Sequence, residues 1–345
     1  MQAVVKTQRG PGYVALREVQ EPEAGRGQVK IAVRAAGICG TDLHIVKDEF
    51  PSWPPVILGH EFAGTVAAVG EGVEGLAAGD PVVAQTPAVW CGCCRYCLSG
   101  HFLMCAAKRS IGYGVDGAFA SHLVVPAGTV HRLPPGMDLE AAALCEPAAC
   151  AVRAVCERAT VAAGDGVLVT GAGPIGLLVM QAARAQGARV CITGTRADAA
   201  RLRVARELGA DLAVDVNGED LGEALRAFAD VDGVDLAFEC SGASPALESC
   251  LRALRRQGTL VQLGLFGRPF EADYEQVAMK ELTVLGSYGH VHSSWRRAIA
   301  LIAGGGIRTR PLISAVLPLS RWEEAFRRAE AKDGVKFLLR PDPQP

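Results

Sequence analysis

The sequence predicts an α/β protein of two domains, a β-rich first part and a doubly wound parallel sheet, on three observations. The chain has 345 residues, roughly twice the usual single-domain length. Its first part, to about Ala151, is dense in glycine, proline and short β-branched runs such as Val29 to Val33, Gly64 to Val69 and Pro81 to Ala84, the texture of an all-β, loop-rich unit. From Gly164 onward apolar strands alternate with segments at helical spacing, and such alternation means parallel βαβ units.

The second half reads element by element. Val167 to Thr170 is an apolar strand, followed by a glycine turn, a helix from Leu177 to Gln186 and a second strand from Arg189 to Thr193. A helix then covers Ala199 to Leu208, a strand Leu212 to Asp215, a helix Asp220 to Phe228, a strand Asp235 to Glu239, a helix Ala246 to Arg255 and a strand Thr259 to Leu263. With Leu282 to Gly286 the pattern fits a doubly wound sheet of about six strands. The helix Ser294 to Ala303, the amphipathic Arg321 to Ala329 and the strand Lys336 to Arg340 form a tail expected to return to the first domain. The boundaries follow as 1–151, 152–288 and 289–345. No internal repeat or low-complexity segment is present.

Composition narrows the function. Hydrophobic residues make up 50% and charged residues 21% of the chain, an ordinary globular balance. A net charge of −2 with no block of like charge gives nucleic acid or an anionic membrane no electrostatic hold, so the expected partner is a small molecule. Met1 to Gly10 carries Lys6 and Arg9 and lacks the apolar core of a signal peptide, which points to the cytoplasm and away from disulfides. The uncharged run Gly166 to Ala183 is long enough to test as a membrane span. Its four glycines and Pro174 mark a buried strand, turn and helix instead.

Gly171, Gly173 and Gly176 stand in G-A-G-P-I-G, with Pro174 and Ile175, between the strand and the helix. A tight turn, close approach of backbone to a pyrophosphate and helix–sheet packing each need a missing side chain there, so the motif reads as a dinucleotide site. An NAD site usually places a carboxylate at the end of the second strand, where it bonds the adenosine ribose. This chain has Thr193, Gly194, Thr195 and Arg196. Arg196 and Arg201 suit the extra phosphate of NADP through paired hydrogen bonds, and the reading leans to NADP; the plainer alternative is a solvated helix start.

Twelve cysteines are present, and Cys91, Cys94, Cys97 and Cys105 fall at a spacing from which four thiolates close tetrahedrally on a structural Zn²⁺. Cys93 is a spare thiol in the same cluster, and regular spacing favours Cys94 over it. A second group is dispersed: Cys39 in G-I-C-G-T-D-L-H, and His60 with Glu61 in G-H-E. Sulfur, imidazole and carboxylate together are the mix that a catalytic zinc uses while leaving one position open.

Gly59, His60, Glu61, Gly64, Gly70 and Val73 spell G-H-E-x-x-G-x-x-x-x-x-G-x-x-V, which resembles the signature of the zinc-containing alcohol dehydrogenases of the medium-chain dehydrogenase/reductase superfamily. Cys91 to Cys105 is similar to that family's structural-zinc lobe, and the glycine turn to its cofactor domain. The resemblance implies a GroES-like β-rich catalytic domain joined to a Rossmann domain, two zinc ions, NAD(P), and a homodimer or homotetramer formed through the last strands of the cofactor domain. Leu144-Cys145-Glu146-Pro147 resembles the sorbitol-type polyol branch, where liver-type enzymes carry a cysteine in place of the glutamate. It adds Glu146 to the site, as metal ligand or as holder of metal-bound water, with Glu61 in the complementary role; the sequence leaves the choice open. A glutamate beside this Ala-rich apolar run is costly to bury unpaired, which independently calls for a cation nearby.

The implied chemistry is hydride transfer between a secondary alcohol, or the matching ketone, and a nicotinamide, with zinc lowering the pKa of the substrate hydroxyl. Thr41 takes the proton, and His44, one helical turn on, passes it through the cofactor ribose to solvent. Asp42 is expected to accept the free N–H of His60, and is also a good helix cap. Leu263, Gly264, Leu265, Ser287 and Tyr288 resemble the strand ends that flank the nicotinamide. L-threonine 3-dehydrogenase is the nearest rival reading. A sugar-phosphate or cyclitol dehydrogenase would need basic residues such as Lys47, His101 or His292 in the pocket. A non-catalytic nucleotide-binding relative would be expected to have lost zinc ligands that this chain retains.

Overall fold

The computed structural model describes residues 1–229 and 232–342, which divide into two compact units. The first comprises Met1–Glu146, His290–Ile299 and Ile313–Pro345, and the second Pro147–Gly289 and Ala300–Leu312. The first division thus falls between residues 146 and 147, and Ala300–Leu312 groups with the second unit, where the backbone N–H of Arg308 donates to Gln181 Oε1 at 2.8 Å.

In the first unit the largely buried strands Gln28–Gly37 and Glu61–Val69 lie at the centre of a seven-stranded sheet. Gln28–Gly37 pairs antiparallel with Glu61–Val69, with His122–Pro126 and with Lys336–Arg340; the last of these pairs parallel with Ile313–Pro318. A separate three-stranded sheet joins Gln2–Lys6 to Val14–Glu18 and Val56–Ile57. The core holds Ile31, Ile45, Leu58, Phe62 and Phe119 together with Phe326, Phe337 and Leu339 from the chain's last segment. That apolar share explains why the tail groups with this unit. The 290–299 segment is fixed separately, by Trp295, which is fully buried, stacks 5.3 Å from the His131 ring and meets His290 edge-on at 5.1 Å.

The second unit is a six-stranded parallel sheet in the order Leu212–Asp215, Arg189–Gly194, Gly166–Thr170, Val234–Glu239, Leu254–Gln262, Thr283–Gly286. Numbered by chain order this is 3-2-1-4-5-6, the doubly wound arrangement. Its middle strands are buried on both faces, which is why they read as continuous apolar runs. Helix Pro174–Ala185 follows the first strand, so Gly166 to Ala183 is a strand, turn and helix, and no described helix is long and apolar enough to cross a membrane. One boundary moves: the helix expected to reach Arg255 ends at Ala253, and the next strand begins at Leu254, five residues before the expected start at Thr259. Leu254 pairs with Val234 across a bulge, and the Arg255 guanidinium is drawn to Asp235 at 2.7 Å. Tertiary pairing overrides helical spacing there.

Gly64 shows how tightly the first unit's sheet is built. A Cβ at this position would meet the Ala32 carbonyl oxygen of the neighbouring strand and Ile31 Cγ2 at 2.9 Å. Gly64→Ala is expected to destabilise the protein by about 1–3 kcal/mol through overpacking, read as an earlier midpoint in denaturant melts. An unchanged midpoint would show that the strands part without cost.

Candidate functional site

The metal-binding residues of the first unit arise where the long central strands end. Cys39 follows strand Gln28–Gly37 and caps the short helix Gly40–Val46; His60 and Glu61 stand where Glu61–Val69 begins. Strand pairing of Gly37 with Glu61 carries the two sequence segments to one place. One ligand atom each from Cys39, His60 and Glu61 lies within 4.8 Å of the others. His60 and Glu61 are buried, Cys39 is half-buried, and His60 Nδ1 has no hydrogen-bond partner. A half-buried sulfur and a buried imidazole and carboxylate converging within this distance fit zinc.

Asp42 meets the helix-cap expectation and does not make the hydrogen bond expected to His60. Oδ2 accepts the Cys39 backbone N–H at 2.9 Å, capping the helix, while Oδ1 faces His60 Nδ1 at 3.6 Å, too long for a hydrogen bond. Burial alone would lower the imidazole's affinity for protons; the charges of Asp42 and Cys39 outweigh it and hold His60 well above its ordinary pKa. Thr41 and His44 lie three residues apart on the helix, and so on one face. His44 is exposed, with Nδ1 2.7 Å from Glu49 Oε2.

The residue that sequence reasoning missed is Lys336. Its ammonium, buried in the last strand, lies 2.7 Å from Glu61 Oε1 and 2.6 Å from Oε2. Burial would lower the lysine pKa, but Glu61, Cys39 and Glu146 reverse that and raise it. Glu146, second residue of helix Cys145–Arg153, lies outside the set of mutually close donors; its Oε1 is 3.5 Å from His290 Nε2, which in turn is 3.3 Å from Thr86 Oγ1. A lone lysine in the apolar run Lys336 to Leu339 carries no sequence signal beyond the oddity of a charge in a buried strand.

The four-cysteine cluster is a second centre. All twelve cysteines are free thiols. Sγ of Cys97 lies 3.8 Å from that of Cys91 and 3.5 Å from that of Cys94, and Cys105 Sγ is 3.6 Å from Cys91 Sγ. Four thiolates bound at zinc's usual distance form a tetrahedron with edges of about 3.8 Å, so the cluster is shaped for that ion. Cys94, not the exposed Cys93, belongs to the converging set. Backbone N–H groups of Cys93 and Cys94 bring the Cys91 thiol down to about 6, while burial pushes Cys97 up to about 12.

In the second unit the glycine turn has the geometry that its sequence requires. Gly171 has φ +96° and Gly173 caps the helix, with Pro174 as its first residue and Ile175 next. A Cβ on Gly176 would strike the Gly171 carbonyl. The following strand ends at Gly194, and a carboxylate does stand just beyond it. Asp198 Oδ2 accepts from the Thr195 hydroxyl at 2.8 Å and backbone N–H at 3.1 Å, and Oδ1 lies 3.2 Å from the Arg201 guanidinium. Arg201 is buried against this acid; Arg196 is exposed, tied by its backbone N–H to Asn217 Oδ1 at 3.0 Å.

A buried carboxylate organises the opposite side of the sheet's carboxyl edge. Glu239 accepts from the backbone N–H groups of Ser241 and Gly242 at 2.8 and 3.1 Å and from Gln262 Nε2 at 2.7 Å, while its carbonyl receives the N–H groups of Leu263 and Gly264 at 2.9 Å. Leu265 is exposed; Ser287 donates its backbone N–H to the Gln262 carbonyl, and its buried hydroxyl has no partner. The Tyr288 carbonyl accepts from Arg153 at 2.6 Å.

Two outcomes follow for the metal centres. Lys336→Met leaves Glu61 buried without its cation, so the metal-free protein is expected to lose about 3–5 kcal/mol in denaturant melts, and less when zinc occupies the donors; an equal loss with and without zinc would separate the pair from the metal. In chelated protein at pH 7, above the Cys91 pKa of about 6, Cys91 is the thiolate and is expected to react first with iodoacetamide, Cys97 last, with the Cys91 preference fading below about pH 5. Peptide mass spectrometry reads the order, and prior labelling of Cys97 would contradict it.

Comparison with known proteins identifies the family. Residues 25–135 match the family model described as alcohol dehydrogenase GroES-like domain, and residues 174–304 match that of zinc-binding dehydrogenase. The chain is 38% identical to a sorbitol dehydrogenase of Halalkalibacterium halodurans, covering 99% of both chains. It is 36% identical to a D-arabitol-phosphate dehydrogenase of Enterococcus avium over 98% of this chain and 97% of that one. It is 39% identical to an L-threonine 3-dehydrogenase of Pyrococcus furiosus over 99% of each. A solved structure described as a zinc-binding dehydrogenase of Sinorhizobium meliloti 1021, bound to NADP, superposes with a TM-score of 0.90 at 34% identity, covering 99% of both chains. Similarity at this level, sustained from one end of the chain to the other, places it in one family: it belongs to the zinc-dependent, NAD(P)-linked alcohol dehydrogenases of the medium-chain superfamily.

Proposed function

We propose that the chain oxidises a secondary hydroxyl of a polyol, or reduces the corresponding ketone, with NADP as the preferred coenzyme. The convergence of Cys39, His60 and Glu61 within 4.8 Å carries this reading, and similarity to the sorbitol and D-arabitol-phosphate dehydrogenases supports the substrate class. Threonine oxidation is the second reading, favoured by the 39% identity to the Pyrococcus furiosus enzyme.

Two zinc ions are part of the proposal. One sits among Cys91, Cys94, Cys97 and Cys105 as a staple; the other is held by Cys39, His60 and Glu61. A zinc at the second place supplies Lewis acidity that lowers the pKa of a substrate hydroxyl. Glu61 acts as third ligand, with Lys336 paired to its carboxylate. Glu146, steadied by His290, offers its carboxylate to the hydroxyl at the open position. Thr41 accepts the proton through its own hydroxyl, and His44 passes it to solvent; with Nδ1 turned to Glu49, Nε2 is the nitrogen available for the transfer.

The pyrophosphate is assigned to the turn Gly171, Gly173, Pro174, Ile175 and Gly176, and the adenosine end to Gly194, Thr195 and Arg196. Arg201 supports that end indirectly, by holding Asp198 against Thr195. Asp198 has both oxygens engaged and is not offered to a ribose, which supports NADP. Leu263, Gly264, Leu265, Ser287 and Tyr288 are assigned to the nicotinamide. Free thiols throughout suit the reducing cytoplasm. The outermost strand Thr283–Gly286, with Val284 exposed, suits pairing between subunits of a homo-oligomer.

The test is a rate screen across polyols, polyol phosphates and L-threonine with both coenzymes. Polyol or polyol-phosphate turnover with a preference for NADP is expected, and Arg196→Ala should lower kcat/KM for NADP by about tenfold or more while NAD changes little, the loss of one charge-assisted phosphate contact. Turnover of L-threonine alone would overturn the substrate class, and an equal effect of Arg196→Ala on both coenzymes would overturn the NADP assignment.

A further inference from the structure

The polyol reading leaves open whether the substrate is neutral or charged, and the basic residues expected to recognise a charge are engaged elsewhere. Lys47 is paired with Glu330 at 2.8 Å, His101 Nδ1 lies 3.0 Å from the Ser99 carbonyl, and His292 Nδ1 lies 3.4 Å from Gln85. One exposed guanidinium near His60 is differently placed. Arg109 begins the short strand Arg109–Ser110, and its Cζ lies 5.3 Å from the centre of the Trp53 ring. Among the described residues it forms no ion pair and no side-chain hydrogen bond.

The platform under Arg109 is tied to the metal site. The Trp53 backbone N–H donates to the Tyr113 carbonyl at 2.8 Å. The Tyr113 ring packs edge-on against Phe50 at 5.3 Å and against the His60 ring at 6.3 Å. Trp53 itself is 42% exposed, which leaves a ring face at the surface for Arg109 to lie on. A guanidinium over an indole face is held in orientation by cation–π attraction while its N–H edge stays open, and a phosphate's oxygens match that edge in pairs.

We propose that Arg109, laid on Trp53 beside the wall of the His60 site, receives the phosphate monoester at the far end of a phosphorylated polyol. The inference rests on the polyol reading above and names its substrate class. A phosphate suits the place better than the carboxylate of an amino acid. Arg109 contacts Trp53, the Trp53 backbone bonds to Tyr113, and the Tyr113 ring packs on His60; an anion reached through two successive residues is set several atoms from the reacting hydroxyl, as in a polyol phosphate and unlike threonine, whose carboxylate is two carbons from its hydroxyl-bearing carbon. Similarity to a D-arabitol-phosphate dehydrogenase points the same way.

The experiment compares D-arabitol phosphate, D-arabitol and L-threonine as substrates of the zinc-loaded protein and of Arg109→Met, with inorganic phosphate as competing inhibitor. The unaltered protein should favour the phosphate ester. Arg109→Met should raise its KM by about tenfold or more with kcat little changed, and weaken inhibition by inorganic phosphate in parallel, while turnover of neutral D-arabitol stays within about twofold. Trp53→Leu should show the same selectivity to a smaller degree, and zinc content should be unchanged in both. Equal losses on ester and neutral polyol, or preference of the unaltered protein for neutral D-arabitol, would overturn this inference and leave the polyol reading standing. Activity on L-threonine with none on either polyol would overturn both.

Discussion

A carboxylate removed from water must meet a positive charge, and the first unit is arranged around that requirement. Glu61 is almost wholly buried at the start of a central strand, where an isolated anion would cost many kcal/mol. Lys336 meets it with both carboxylate oxygens in reach. The lysine arrives on a strand separated from Glu61 by the entire cofactor unit in sequence. Closing the chain back onto the first sheet is therefore an electrostatic necessity as well as an apolar one. The pair also lies at the candidate metal site, since Glu61 converges there with Cys39 and His60.

The same logic recurs on a smaller scale in the second unit. Glu239 and Asp198 are buried acids at the carboxyl edge of the sheet, and each has its oxygens occupied by local donors. Neither faces outward as a ligand would require. They set the shape of the loops beside which Gly171, Arg196 and Gly264 stand. The edge thus separates into acids that order the backbone and exposed positions left to a bound molecule.

Much of this was legible in the sequence, and the boundary of legibility has a physical cause. The parallel sheet was readable because fully buried strands are continuous apolar runs broken by glycine turns, and the cysteine cluster because Cys91, Cys94, Cys97 and Cys105 fall at short spacings; Cys39 and His60 stand apart in sequence and are brought together by the pairing of Gly37 with Glu61. Lys336, Glu239 and the carboxylate role of Asp198 were not readable, because each depends on a partner fixed only by tertiary pairing: Glu61 is 275 positions from Lys336. Arg201 looked like a phosphate ligand because it is a guanidinium just beyond the second strand, yet it is buried against Asp198. The strand start at Leu254 was hidden for the same reason, since helical spacing continues through Arg255 while Val234 claims Leu254 for the sheet.

The position of Lys336 has a consequence for how the enzyme is made. During synthesis Cys39, His60 and Glu61 leave the ribosome long before their counter-charge does, and the intervening cofactor unit can fold in the meantime. The buried pair of Glu61 and Lys336 therefore cannot close until the last strand has been made, and the first unit is finished only after the whole of the second has left the ribosome.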